Sequence, residues 1–524
     1  MLPKTIAPSL FEKITIDCQS AKPDWSYLSP KILKNASAFS PTQISIILNA
    51  CSRTNFRDTE LLHSLAIASE SKLREFQPFQ VGLTVNALSK LNFMNTRLLN
   101  SLASQSLGQL RSKQPINPKT IAITFGGFCK VGFASRELVQ VVLERLIKLQ
   151  TDKISVADAA AIVYSFSNLG DIPQKANSLI KEYIGMVAES GSAEFSALTL
   201  TSISSLLENR KFRFSIEASK LESLIGNIQK DLSFSQLANV VAAVAIISKR
   251  LSGPWLKLNF FQTAWLQIKE KLKMTENPGN GSILLLMNGF SKSPGFWADP
   301  LKELSLLLDL TDLKINGFAL VLNALSLHNM ADESLLSNLV INMFNSLDKS
   351  YSEDEQRLTG QTVSLIVSSL VRLDLSNEAS SFLAKTITPA LIRTFSEQSL
   401  INATFAAMQI DALSYDVIKS MIDRMAQLKI YGSCPEAKSQ LKLIGIMLWQ
   451  RDVIEKFDDS VLHWLAKLLN DKQPPYDYKS SDLHLEVADV IAKLTGAQFR
   501  NEYVIGPYSA DIVIEASSCV GSGL

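Results

Sequence analysis

The sequence predicts an all-α fold, a solenoid of about ten stacked helical hairpins of roughly 38 residues each, with a small, incomplete α/β domain at its C-terminal end. Three observations predict it. The stretch Phe39–Ala66 recurs 37 residues later as Phe76–Ala103, keeping the Phe, the Pro, the Asn-Ala pair, the Asn-Phe pair, the Leu-Leu pair and the closing Leu-Ala. Within each copy, apolar residues return at spacings of three and four, which places them on one helical face. Beyond residue 482 that period gives way to short alternating strands.

Residues 1–38 precede the first copy and read as an N-terminal extension. With Ala50 as an anchor, further copies fall on Ala87, Gly127, Ser165, Leu206, Ala243, Gly289, Ala324, Ser369 and Ala406, so the repeats fill 39–430. Six places before the anchor stand Ile44, Val81, Ile121, Ala159, Leu200, Leu237, Ile283, Phe318, Val363 and Leu400, apolar in every copy. They mark the buried stripe of a first helix, and the small residues at most anchors predict a close crossing of neighbouring helices. Eight places after the anchor come Asp58, Asn95, Ser135, Asp332, Asn377 and Ser414, residue types that cap the start of a second helix. One hairpin cannot bury its own stripe, so the hairpins must stack. Within 431–482, Ala437–Leu448 and Ser460–Asn470 read as capping helices and Asp471–Asp482 as a Pro-containing linker. In 483–524, an amphipathic helix from Leu483 to about Leu494 precedes strands at Glu502–Ile505 and Ala510–Glu515, around the Gly506-Pro507 turn.

At 46% hydrophobic and 19% charged, the chain is far from the composition of disordered proteins. Its longest uninterrupted apolar runs, such as Val240–Ile247, fall short of the about 18–20 residues of a membrane helix, so no membrane partner is expected. Cys18, Cys51, Cys129, Cys434 and Cys519 include no CxxC pair and make no disulfide framework, which points to a reducing compartment. The formal net charge is +2, yet residues 1–130 hold 15 Lys or Arg against 7 Asp or Glu, and 451–524 hold 7 against 12. A basic front suits a polyanion, and ordinary solubilising charge explains it equally. The first twenty residues carry Lys, Ser and Thr but no Arg, and include Glu12 and Asp17, a poor match to an organelle presequence.

Two further columns bear on function. Three places after the anchor, five of ten copies carry a cation: Arg53, Lys90, Lys130, Lys292 and Arg372. A ladder of cations one repeat apart suits an RNA phosphate backbone. The competing role is local, because this position ends the first helix, where cations complement the dipole and the terminal carbonyls. Seven places before the anchor, Gln43, Gln80, Thr120, Asp158, Thr199 and Gln236 form a polar column that varies between copies, as a reader of one base per repeat requires. Capping of the first helix is the alternative; Gln is a poor N-cap and leans toward base contact. No catalytic residue, metal or cofactor is expected, since His63, His328, His463 and His484 stand far apart without ligand spacing. Trp255, Trp265, Trp297, Trp449 and Trp464 lie amid apolar residues and read as core.

The tail motifs Leu483-His484, Glu486-Val487, Glu502, Gly506, Tyr508 and Asp511-Ile512-Val513 resemble the first half of a RAP domain. The segments Leu48–Arg53, Val85–Lys90 and Met287–Lys292 are similar to the octotricopeptide-like and heptatricopeptide-like repeats found upstream of such domains, as in the Fas-activated serine/threonine kinase family. The resemblance implies a non-enzymatic RNA-binding factor in mitochondria, or alternatively plastids. Such factors act on rRNA or mRNA in stability, processing, translation or ribosome assembly, with ribosomal or other organelle proteins as further partners. RAP domains are related to a restriction-endonuclease-like fold, in which an Asp and a Glu-x-Lys pair on the next strand hold a metal ion. Asp511 stands at the first position, but Glu515 is followed by Ala516-Ser517 and no Glu-x-Lys pair comes after it, so no nuclease activity is expected; Glu486 and Asp489 read as exposed helix charges. The alternative reading is a HEAT-like protein-protein scaffold, which the near-neutral net charge favours.

Overall fold

The computed structural model describes residues 10–470 apart from 113, 150–152, 210, 229–231, 252–257, 275–277, 294, 296, 353–357, 411–413 and 433–434, together with 490, 499–505 and 508–514. It divides into two compact units. The first, Met1–Pro278 with Lys292–Gly295, holds α1 (Leu10–Gln19), α2 (Trp25–Asn35), α3 (Pro41–Arg53), α4 (Thr59–Ser71), α5 (Pro78–Lys90), α6 (Thr96–Arg111), α7 (Pro118–Lys130), α8 (Arg136–Lys148), α9 (Val156–Ser167), α10 (Ala176–Glu189), α11 (Ala193–Glu208), α12 (Ala218–Asn227), α13 (Phe234–Leu251) and α14 (Leu258–Met274). Here the odd-numbered helices pack on one another in sequence from α1 to α13, while α2, α4, α6 and α8 form a second row, as do α10 and α12. This is the two-layer stacking that the repeat demands. The N-terminal extension takes part in it: α1 packs on α3 and α2 on α4, so residues 10–35 make a further hairpin.

The second unit, Gly279–Ser291 with Phe296–Leu524, begins with α15 (Asn280–Lys292). It continues with α16 (Ala298–Leu306), α17 (Ile315–Leu327), α18 (Glu333–Ser352), α19 (Gly360–Arg372), α20 (Ser376–Thr386), the single turn α21 (Pro389–Ile392), α22 (Glu397–Met408), α23 (Tyr415–Gln427), α24 (Pro435–Gln450) and α25 (Asp459–Asn470). One row runs α17, α19, α22, α24, and α25 packs on both α23 and α24, so the predicted capping helices continue the stack.

The buried columns lie where the periodicity places them. Ile44 and Val81 are 0% exposed, Ile121 is 2% and Ile283 is 1%. The small anchor Gly127 marks a close crossing: a Cβ there would lie 2.9 Å from the Asn86 nitrogen of α5. Second helices begin behind side-chain caps, with Asp58 accepting from Leu61 N at 3.1 Å, Asn95 from Leu98 N at 3.0 Å and Ser135 from Leu138 N at 3.2 Å. Asn377 departs from that column, being the second residue of α20 rather than its cap.

Six of the first helices end in one way. The residue five places past the repeat anchor, or its equivalent in α24, takes a left-handed conformation: Asn55 (φ 52), Asn92 (φ 54), Gly132 (φ 72), Asn329 (φ 50), Asp374 (φ 61) and Asp452 (φ 55). The next residue is apolar, and its N–H reaches back five positions, as from Phe56 to Cys51 O (2.9 Å), Phe93 to Leu88 O (3.0 Å) and Phe133 to Phe128 O (2.9 Å). This Schellman closure satisfies carbonyls that the helix leaves open, and it explains why Asn, Asp and Gly hold the column.

Three expectations are corrected. Trp265, Trp297 and Trp464 are buried, but Trp449 is 71% exposed, because it follows the core-facing Leu448 on the last turn of α24; Trp255 lies outside the described residues. One helix, α13, is 18 residues long and apolar enough by length and composition to cross a membrane. Counting only uninterrupted apolar runs missed it, since Asn239 breaks the run while the apolar residues on either side keep the mean high; the helix packs against α11 and α14. In the tail, β1 (Phe499–Ile505) and β2 (Tyr508–Ile514) pair antiparallel with Ile505 opposite Tyr508, longer than the expected strands. The expected helix from Leu483 lies largely outside the described residues, as do Glu486, Asp489 and Glu515.

Candidate functional site

The five cations share a helical position but not an environment. Arg53 ends α3 and turns back over the end of α1, where Nη2 donates to Cys18 O (3.0 Å) and Ser20 O (2.7 Å) and Nη1 to Gln19 O (3.3 Å). It caps the neighbouring helix rather than its own. Arg451 does the same for α22, donating to Met408 O at 2.8 Å and Ile410 O at 3.0 Å, and Arg145 does so for α6 through Leu110 O and Ser112 O. The guanidinium's planar fork can serve two or three carbonyls at once, which an ammonium on a single stem does less well. Arg372 leans toward the end of α17, with Nη1 3.5 Å from Ser326 Oγ, and burial pulls its pKa below the ordinary arginine value. Lys292 is exposed over much of its side chain, yet desolvation is the main influence holding its pKa down, with Glu208 opposing that shift and Lys249 adding to it.

Lys90 and Lys130 differ from these. Both are exposed, both end helices that pack directly on each other, α5 and α7, and neither has a partner among the described residues. Nearby cations are engaged: Arg57 with Asn55 Oδ1 (2.9 Å), Arg97 with Glu70 (3.1 Å) and Arg136 with Asp171 (2.9 Å). The ladder read from the sequence therefore holds different roles, a helix-end clamp at Arg53, an arginine leaning on Ser326 at Arg372 and unengaged charge at Lys90 and Lys130.

The polar column proves to be the third residue of the first helix. Gln43 Oε1 accepts from the Ser40 backbone N–H at 2.9 Å and Ser40 Oγ accepts from Gln43 N, a reciprocal capping box. Gln80 does the same for Gln77 N at 2.9 Å and passes its Nε2 to Thr42 Oγ1 at 2.8 Å. Gln236 pairs with Ser233 and Asp158 with Ser155. Thr120 follows the cap Asn117 and is only 8% exposed. Gln is a weak N-cap but a strong third residue, reaching back to the cap's own N–H, so the preference for Gln has a structural cause. Thr199 leaves the column altogether: α11 starts at Ala193, and Thr199 sits two turns in, 0% exposed. Buried Thr120 and Thr199 are withdrawn from any base, whereas Gln43 and Gln236 keep their Nε2 donors.

Three thiols are also sealed. Burial pushes Cys18 up to about 11 and Cys51 up to about 12, and raises Cys129 further. Among the described residues no cluster of His, Cys, Asp or Glu has the arrangement of a metal site.

The sequence matches no protein-family profile and no curated protein. Among solved structures it is similar to a chain described as a homology model of the full-length AP-3 complex in an intermediate open conformation, at 11% identity over 92% of this chain and 86% of that one, with a TM-score of 0.24. A likeness at that level carries no argument.

Proposed function

We propose that this protein is a non-enzymatic RNA-binding repeat protein of the RAP type. In this reading it works in mitochondria, or alternatively plastids, on single-stranded segments of rRNA or mRNA, in RNA stability or processing, translation or ribosome assembly. One observation supports it above the rest: Lys90 and Lys130 stand exposed and unengaged on adjacent helices within the most basic part of the chain. Packed helices lie about 8–10 Å apart, so two phosphates of one flexible strand can meet both ammonium groups. The β1–β2 hairpin fits the RAP-like tail, with Asp511 on β2. A HEAT-like protein scaffold is the second reading, favoured by the net charge of +2 and by the arginines turned inward onto helix ends.

The test is the salt dependence of single-stranded RNA affinity. Converting both Lys90 and Lys130 to Gln should weaken binding to every sequence and reduce the slope of log affinity against log salt by about 1.4, roughly 0.7 per phosphate contact. Arg53→Gln should instead cost stability and leave that slope alone. An unchanged slope in the double variant removes the phosphate role of the two lysines, and absence of RNA binding by the parent chain turns the reading to the scaffold.

A further inference from the structure

We infer that a cleft over α11 receives one guanine base of the bound RNA, an inference that rests on the RNA-binding reading and adds a base preference to it. The cleft has a volume of about 340 Å³, inside the range of about 300–1,000 Å³ typical of small-ligand pockets. Its walls come from three successive first helices: Tyr164 on α9, Glu194, Phe195 and Thr201 on α11, and Gln236 and Asn239 on α13. Helix α11 has 16 residues where α3, α5 and α7 have 13, and the extra length at its start carries Glu194 and Phe195 into the cleft.

The hydrogen bonds already made decide what the walls can still offer. Gln236 spends its Oε1 on the Ser233 N–H at 2.9 Å, which fixes the amide orientation and leaves Nε2 as donor. Asn239 gives one Nδ2 hydrogen to Ser235 O at 2.8 Å, which fixes its amide and keeps Oδ1 as acceptor beside the second hydrogen. Thr201 donates its hydroxyl to Ala197 O at 3.0 Å and retains only acceptor capacity. Glu194 is exposed in the first turn of α11 and brings a carboxylate to the cleft lining. The cleft therefore presents a carboxylate and further acceptors beside the amide donors of Gln236 and Asn239 and the Tyr164 hydroxyl, with half-buried Tyr164 and Phe195 as its aromatic walls.

That pattern complements one base edge. Guanine carries two adjacent donors, N1–H and N2–H, next to the acceptor O6. The Glu194 carboxylate accepts the pair and Gln236 Nε2 donates to O6, while an aromatic face receives the ring. Uracil offers a single ring N–H between two carbonyls, and adenine and cytosine each place an unprotonated ring nitrogen next to their amino group, which a carboxylate opposes.

The experiment compares binding of the full chain to a short labelled oligouridylate and to the same oligomer with one central guanosine, by fluorescence anisotropy. The guanosine should tighten binding about five- to a hundredfold, the range of one bidentate base contact, and inosine, lacking the N2 amine, should recover only part of that gain. Glu194→Gln should erase the difference between the two oligomers. Equal affinity for both, with binding intact, overturns the guanine site and leaves the RNA reading standing. Binding of neither removes both. A guanosine preference that survives E194Q places recognition elsewhere and overturns the inference.

Discussion

Gly127→Ala tests the close crossing of α5 and α7. A Cβ at this position would sit 2.9 Å from Asn86 N, 2.9 Å from Val85 Cγ1 and 3.1 Å from Val85 C. Carbon contacts are comfortable at about 3.5–4.0 Å, and two of the three atoms are backbone, so no rotamer relieves the clash and the helices must part. Overpacking of this kind costs about 1–3 kcal/mol, against about 1 kcal/mol that Ala gains over Gly in a helix interior, so the net loss should reach up to about 2 kcal/mol. Gly126→Ala on the same turn is the control. Its Cβ would meet only the Ser165 side chain, at 3.1 Å from Oγ, which needs to give by only a few tenths of an ångström, so the variant should lose far less than G127A. A repeat array does not unfold as a single cooperative unit, so the assay is hydrogen exchange resolved to α5 and α7 rather than a global melt. G127A should exchange about 5–30-fold faster there than G126A. Equal protection in the two variants would mean that the helices separate at no cost, and the packing argument would fail.

Ile44→Asp places an unpaired charge at a site 0% exposed and should destabilise the stack around α3 by several kcal/mol, read as faster hydrogen exchange in α3 and α5; tolerance of the change would sink the repeat register. His328, 8% exposed, has its pKa held below the ordinary value, chiefly by burial, with bonds to the Ser291 and Phe290 backbone opposing. The folded state thus keeps it neutral while the unfolded chain protonates near about 6.5, so stability should fall as pH drops from about 7 through that value, and His328→Gln should flatten this part of the profile. Identical pH dependence in wild type and variant would contradict the assignment.

The repeat, its two helices and its buried stripe were legible because burial imposes a period on residue choice, as Ile44, Val81 and Ile121 show. The left-handed column was equally visible at Asn55, Asn92, Gly132, Asn329 and Asp374, but it is found only by asking how the helix stops. The Gln column misled because Gln43 was weighed as a cap, whereas the pair Ser40 and Gln43 spells a capping box. Thr199 was misplaced because counting back from the helix end assumes a constant length, and α11 is longer. The split between Arg53 and Lys90 could not be read at all. It depends on which carbonyls the preceding helix leaves within reach, a property of packing and not of the residue's own neighbours in sequence.

The turn between paired helices has an engineering consequence. In α3–α4, α5–α6, α7–α8 and α17–α18 it spans five residues, with the left-handed residue second, the back-bonded apolar residue third and the helix cap fifth. The third place donates back to the first helix and the carbonyl of the fifth accepts the first bond of the second helix, so in these four turns adding or removing one residue would pull the cap off its helix. The turn is thereby a splice junction. Joining Arg53 directly to Leu91 would excise one repeat and leave Leu91, Asn92, Phe93, Met94 and Asn95 to close α3 as they close α5, making the hairpin a cassette whose turn needs no redesign when it is deleted, duplicated or exchanged.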